Sequence, residues 1–149
     1  MTHSRLVPFD IAHIQLLDLA EDMVDEVFTM PKGIDYLAEC ASTGDSFTMI
    51  CDGRVIACGG VYVLWEGVGQ VWLLPSKHLS RYPVAAVRTI KRMLDAMVES
   101  HNFHRLQAII STKLDVGPRW IEMLGFTREG VLGKYTPQGT DYLMYARIR

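Results

Sequence analysis

Residues 46–74 carry long runs of β-branched and aromatic side chains, broken only by Asp52-Gly53 and Glu66-Gly67. This stretch leaves few folds open. Asp-Gly is a strong hairpin signal, because both central positions of a type I′ turn need positive φ. The runs 46–51, 54–65 and 68–74 therefore read as three strands of an antiparallel meander. Both faces of these strands are apolar, as required of a sheet covered by helices on both sides. Gly59-Gly60 interrupts the middle strand and marks a bulge or the close approach of another backbone or a ligand.

The flanking segments supply the helices. From 10 to about 28, Ile11, Ile14, Leu17, Met23, Val24, Val27 and Phe28 recur mostly at three- and four-residue spacings, with Asp10 placed to cap a first helix. A short strand at 5–9 precedes it. Pro31 and Gly33 stop it, and a second short helix is expected at about 34–41. Pro83 fits the first position of the longest helix, whose expected buried stripe is Val84, Val87, Ile90, Leu94, Met97 and Val98. A strand at 105–110, a short helix from Val116 or Pro118 to Leu124, and a terminal hairpin at 127–135 and 140–148 complete the chain. There is no internal repeat or linker, so a single domain spanning 1–149 is expected.

The balance of 15 basic against 17 acidic residues gives no bulk attraction to nucleic acid or an anionic membrane. No apolar run approaches the roughly 18 residues of a spanning helix, so a cytoplasmic protein is expected. The three cysteines Cys40, Cys51 and Cys58 form no Cys-x-x-Cys pair, and free thiols in a reducing compartment follow. A two-residue turn at Asp52-Gly53 would set Cys51 opposite Arg54 and Cys58 opposite Phe47. The five scattered histidines and three cysteines show no zinc or iron spacing, so no metal is expected.

The order strand, two helices, three-strand meander, helix, strand, helix, two strands resembles the GNAT superfamily of acyl-CoA N-acyltransferases over nearly the whole chain. The Leu124-Gly125-Phe126 step feeding the last two strands carries the likeness most closely. Trp72-Leu73-Leu74-Pro75-Ser76 and the run from Trp120 to Phe126 also resemble a phage-encoded GNAT-like branch that includes podovirus internal virion proteins. The resemblance implies an α/β (α+β) fold, a mixed central sheet of about six to seven strands flanked by helices on both faces. It implies acetyl-CoA as cofactor, with Trp72, Leu73 and Leu74 along the pantetheine channel. Ser80, Arg81, Tyr82, Val84 and Arg88 would lie at the helix end that meets the phosphates. Residues 75–87 contain no glycine, although the superfamily usually has a Gly-rich loop there. Arg81, Arg88, Lys91 and Arg92 are then either phosphate contacts or a solvated helix face.

Acetyl transfer to an amine needs a base for the ammonium and an acid for the departing thiolate. The tyrosine that many GNAT enzymes place five residues before the phenylalanine of Leu-Gly-Phe is Ile121 here. The remaining candidates are Glu66 as base and Tyr135 as acid, with Gln70 and Tyr142 nearby in the expected groove. The simpler reading of Glu66 is an exposed turn residue beside Gly67, and that of Tyr135 a strand residue with a wet hydroxyl. Two functions follow: N-acetyl transfer to a protein or small-molecule amine, or a catalytically silent GNAT-fold phage protein whose groove Tyr82-Pro83 blocks. The silent form would serve in a virion or bind a host protein, and the apolar terminal hairpin offers a face for a protein partner or a homodimer.

Overall fold

A computed structural model describes residues 3–19, 38–39, 42, 45–114 and 117–149. Seven strands form one sheet in the order β1-β2-β3-β4-β5-β7-β6. They are β1 Ser4–Pro8, β2 Ser46–Cys51, β3 Arg54–Trp65, β4 Val68–Pro75, β5 Arg105–Ser111, β6 Thr127–Leu132 and β7 Tyr142–Ile148. Only β4 and β5 pair in parallel, and every other neighbouring pair is antiparallel. The helices whose span is described are α1 His13–Leu16, α2 Pro83–His101 and α3 Gly117–Met123. None of the described helices is long and apolar enough to cross a membrane.

The meander forms as its turn residues dictate. Asp52 (φ 51°) and Gly53 (φ 78°) take the positive φ of a type I′ turn, and Gly67 (φ 81°) closes the second turn. The register then departs from the simple expectation, because Ile56 is an extra residue in β3 between Met49↔Ala57 and Ile50↔Val55. Cys58 therefore faces Thr48, not Phe47, while Cys51 faces Arg54. Both thiols are free and fully buried. Burial pushes both up from the ordinary thiol range, more than the bond from Cys58 to Thr48 pulls that one down. The bulges sit at Ile56 and Leu64 and not at the glycine pair. The Gly59-Gly60 pair serves close approach instead: a Cβ on Gly59 would lie 2.7 Å from the Trp72 carbonyl oxygen, and one on Gly60 would strike the Asp45 carbonyl.

One sheet face packs on α2 and α3. Met49, Ala57, Val61, Leu106, Ala108, Leu143 and Tyr145 meet Ala86, Ile90, Leu94, Met97 and Val98 of α2, with Ile121, Leu124 and Phe126 completing the layer. Val84 does not join this stripe. It is 67% exposed, and Ala86 takes the first buried position because Val84 faces outward where the helix begins. Asn102 in the left-handed region (φ 53°) ends α2, and the Phe103 amide bonds back to the Val98 carbonyl in the manner of a Schellman cap.

The opposite face carries a smaller cluster of Phe9, Leu17, Val55, Cys58, Trp72 and Leu74. Asp10 accepts the Ala12 amide at 2.9 Å in the turn leading into α1, but the N-cap is Ala12, which has no side-chain cap bond, so Asp10 is not the cap expected of it. The helix is also shorter than its sequence pattern suggests, because Leu17 is extended (ψ 115°) and buried. Leu19 then bridges to Ser76. The remainder of the expected first helix lies outside the described residues, as does most of the second, of which Ala38 and Glu39 are helical.

Gly60→Ala is expected to destabilise the protein by about 2–3 kcal/mol, because backbone must move to admit the methyl group. Gly133→Ala, with open space around its Cβ position, serves as the control and is expected to change little. Urea unfolding of both variants tests the pair of outcomes.

Candidate functional site

The site grows out of the way β4 and β5 part. Their parallel pairing covers only Val68↔Arg105, Gly69↔Leu106 and Gln70↔Gln107. It starts from the Gly67 carbonyl, which accepts the amides of His104 at 2.9 Å and Arg105 at 3.2 Å. Beyond Gln70, β4 keeps β3 as its partner as far as Pro75, and beyond Gln107, β5 keeps β7 as far as Ser111. The two strands diverge like the arms of a V, and each turns a row of main-chain donors and acceptors into the gap.

A cavity of about 660 Å³ occupies the gap and extends to both sides of the sheet, within the usual size of a small-molecule site. Its described lining includes Gln70 to Lys77 of β4 and the following turn, Ala108 to Ser111 of β5, and Trp120, Ile121 and Leu124 by α3. The wall is mostly apolar. Trp72 joins it while packing edge-on against Phe9, with ring centroids 5.3 Å apart, and its indole N–H has no hydrogen-bond partner among the described residues.

At the open end, side chains hold the turn that glycines would otherwise shape. The Ser76 hydroxyl accepts the His78 amide at 3.0 Å, the Lys77 amide bonds to the Asp18 carbonyl at 2.8 Å, and His78 pairs with the Asp18 carboxylate at 3.2 Å. A 3₁₀ turn, Leu79–Arg81, then enters α2. Pro83 has no N–H and the Ala86 amide already bonds to the Tyr82 carbonyl, so the first-turn amides of Val84 and Ala85 are the ones left for an anion. Lys77 and Ser80 line the cavity at this end.

A polar chain crosses the sheet at the closed end of the V. Arg105 holds the Glu129 carboxylate through two guanidinium bonds of 3.1 and 2.6 Å, and its Nε donates to Gln107 Oε1 at 3.0 Å. Gln107 Nε2 donates in turn to Gln70 Oε1 at 2.9 Å. Arg105 holds the Glu129 carboxyl below its ordinary range, chiefly by hydrogen bonding. The stabilisation this gives is present above the unfolded carboxylate pKa and is lost as pH falls through the lower folded value. Tyr62 lies opposite Gln70 on β3 and also lines the cavity.

The sequence candidates are distributed unevenly over this geometry. Trp72, Leu73, Leu74 and Ser80 line the cavity, whereas Arg81 and Arg88 are exposed outside it and Tyr82 packs against the core. Val84 offers its amide and not its side chain. Tyr135 and Tyr142 line the open end with rings 5.3 Å apart, next to Ser111, which pairs with Tyr142. Ser111 is four residues along β5 from Gln107, about 13 Å at the usual strand rise. Glu66 sits in the exposed turn at the paired end of the strands, outside the described cavity wall. Sequence reasoning missed Tyr62, Lys77 and Gln107. The Gln70↔Gln107 pairing has no local signal, because it depends on a parallel register between strands separated by α2.

No family model matches the chain, and no curated protein matches it. Solved structures do. An acetyltransferase of the GNAT family from Bacillus anthracis superposes with a TM-score of 0.72 at 16% identity, covering 97% of this chain and 94% of that one. Ard1 from Thermoplasma volcanium gives 0.77 at 12% identity, with 97% of each chain covered. Spermidine N-acetyltransferase from Vibrio cholerae, solved with CoA and spermine, gives 0.72 at 14% identity, covering 97% of this chain and 95% of that one. At these identities the likeness is one of architecture, and it extends over 97% of this chain. The chain has the GNAT acyl-CoA N-acyltransferase fold.

Proposed function

We propose that the protein is an acyl-CoA-dependent N-acyltransferase that moves an acetyl group directly onto an amine of a protein or small molecule. The observation that carries this reading is the open V between β4 and β5, with unpaired main chain on both arms, an apolar wall and cationic and amide donors at its wide end. That order of surfaces suits a pantetheine arm followed by phosphates. Acetyl-CoA, when bound, supplies an acyl group activated as a thioester.

Each part of the wall then has a task. Trp72, Leu73 and Leu74 exclude water along the arm, and the edges of 71–75 and 108–111 offer it main-chain bonds. Lys77, Ser80 and the amides of Val84 and Ala85 face the phosphates, and Arg81 and Arg88 add positive potential from outside the cavity. Tyr62, beside Gln70 at the point of the V, would give its phenolic proton to the departing CoA thiolate as the C–S bond breaks and regain one from the acylated nitrogen. Tyr135 and Tyr142 stand at the mouth, beside the arm where it enters. Among the described residues the cavity wall carries no carboxylate or histidine. A solved neighbour bound to CoA and a polyamine supports an amine as the acceptor.

A second reading, a silent scaffold of the podovirus virion type, draws on the glycine-free turn and on Ile121 in place of the tyrosine. Against it, Tyr82 packs into the core and Pro83 is not part of the described cavity wall, so neither blocks the gap. Calorimetric titration separates the two. Micromolar binding of acetyl-CoA and CoA is expected, and absence of binding at millimolar ligand would overturn the transferase reading.

Lys77→Glu is expected to weaken acetyl-CoA binding roughly five- to tenfold, the scale of a partly exposed charge contact reversed in sign. Tyr62→Phe is expected to lower kcat by about a hundredfold or more, as for loss of a positioned acid. Tyr135→Phe and Glu66→Gln should leave kcat nearly unchanged, with any effect of Tyr135→Phe falling on the acetyl-CoA KM. CoA release with a panel of amines reads all three, and a large kcat loss in Tyr135→Phe alone would return the proton to Tyr135.

A further inference from the structure

The polar chain at the point of the V has a direction that only one of its members sets. Guanidinium groups donate and never accept, so Arg105, clamped by Glu129, requires an oxygen from Gln107. With Gln107 Oε1 committed to Arg105, Gln107 can offer only its NH₂ to the next residue. Gln70 must then answer with its oxygen. Two carboxamides that could each face either way are thus fixed by one arginine, and the group Gln70 has left is its own NH₂. Among the described residues that nitrogen has no hydrogen-bond partner, and Gln70 lines the cavity.

Gln70↔Gln107 is also the last parallel pair before the strands part. Resting on the acyltransferase reading above, an arm laid in the gap from the wide end terminates against this pair, and its terminus is the thioester. We propose that Gln70 is a hydrogen-bond donor to the thioester carbonyl oxygen, with Arg105 and Gln107 as positioning residues that keep its NH₂ turned toward the cavity. A donor at that oxygen stabilises charge that builds on it during acyl transfer. In this chain the donor is a side chain whose orientation is relayed from the sheet edge.

The test uses acetyl-CoA labelled with ¹³C at the carbonyl, bound to the purified protein and read by isotope-edited infrared spectroscopy. The bound carbonyl stretch is expected at lower frequency than in solution. Gln70→Leu should abolish that shift and lower the acetyl-CoA affinity about three- to tenfold, the value of one neutral hydrogen bond, while CoA itself binds as before. Gln107→Glu is the sharper variant. Its carboxylate still satisfies Arg105 but cannot donate to Gln70, so Gln70 flips its NH₂ toward residue 107 and shows its oxygen to the cavity. The shift should vanish there although Gln70 is intact. A shift that survives both variants, or bound acetyl-CoA without any shift in the unaltered protein, overturns the assignment while leaving the acyltransferase reading in place. Failure of acetyl-CoA to bind overturns both together.

Discussion

The parting of β4 from β5 governs the rest of the molecule. A parallel pair buried at the centre of a sheet ordinarily continues for the length of its strands, since an unpaired amide or carbonyl away from water is costly. Here pairing stops after three residues. Each strand avoids collapse because its other edge is fully paired, β4 to β3 and β5 to β7. The gap therefore has stiff walls built from the two antiparallel halves of the sheet, which meet along the short parallel seam. Gly69 allows that seam to close, since a side chain there would press on Val61, Phe103 and Leu106.

The wide end shows how a turn can be built without glycine. Ser76 captures the His78 amide, Asp18 holds both the Lys77 amide and the His78 ring, and a 3₁₀ turn delivers the chain to Pro83. A bare glycine cradle presents only amides to an anion. In this chain the same stretch presents Lys77 and Ser80 side chains, with Pro83 removing one amide and two others remaining. A phosphate site of the kind proposed here would lean more on charge than on main-chain geometry, and charge contacts are screened by salt.

Much of the architecture was legible in the sequence because its signals were local. Asp52-Gly53, Glu66-Gly67, Pro83 and Leu124-Gly125-Phe126 each mark a turn or a helix end by their own backbone chemistry. The strand order and the mixed sheet followed from the likeness of that order to GNAT proteins, and the solved neighbours bear out the fold. What escaped was whatever depended on register. The bulge at Ile56 moved Cys58 opposite Thr48, and nothing near residue 56 announces it. The extended backbone at Leu17 cut the first helix short where periodicity alone would run on. For the site, Trp72, Leu73, Leu74 and Ser80 lie on the cavity wall, while the charges of Glu66 and Arg88 do not disclose which way their segments face. Tyr62, Lys77 and Gln107 become visible only once three strands are aligned.

Both rims of the sheet are blunted. β1 is five residues long and ends at Pro8, which has no amide to offer a neighbour. β6 carries an extra residue at Glu129, between Arg128↔Tyr145 and Gly130↔Met144. A kinked rim bearing a paired charge is a poor template for another strand. With 49% hydrophobic residues, a flat rim would invite edge-to-edge stacking at high concentration. The same irregularity at Glu129, whose carboxylate is held by Arg105, thus also counts against strand addition along the β6 edge.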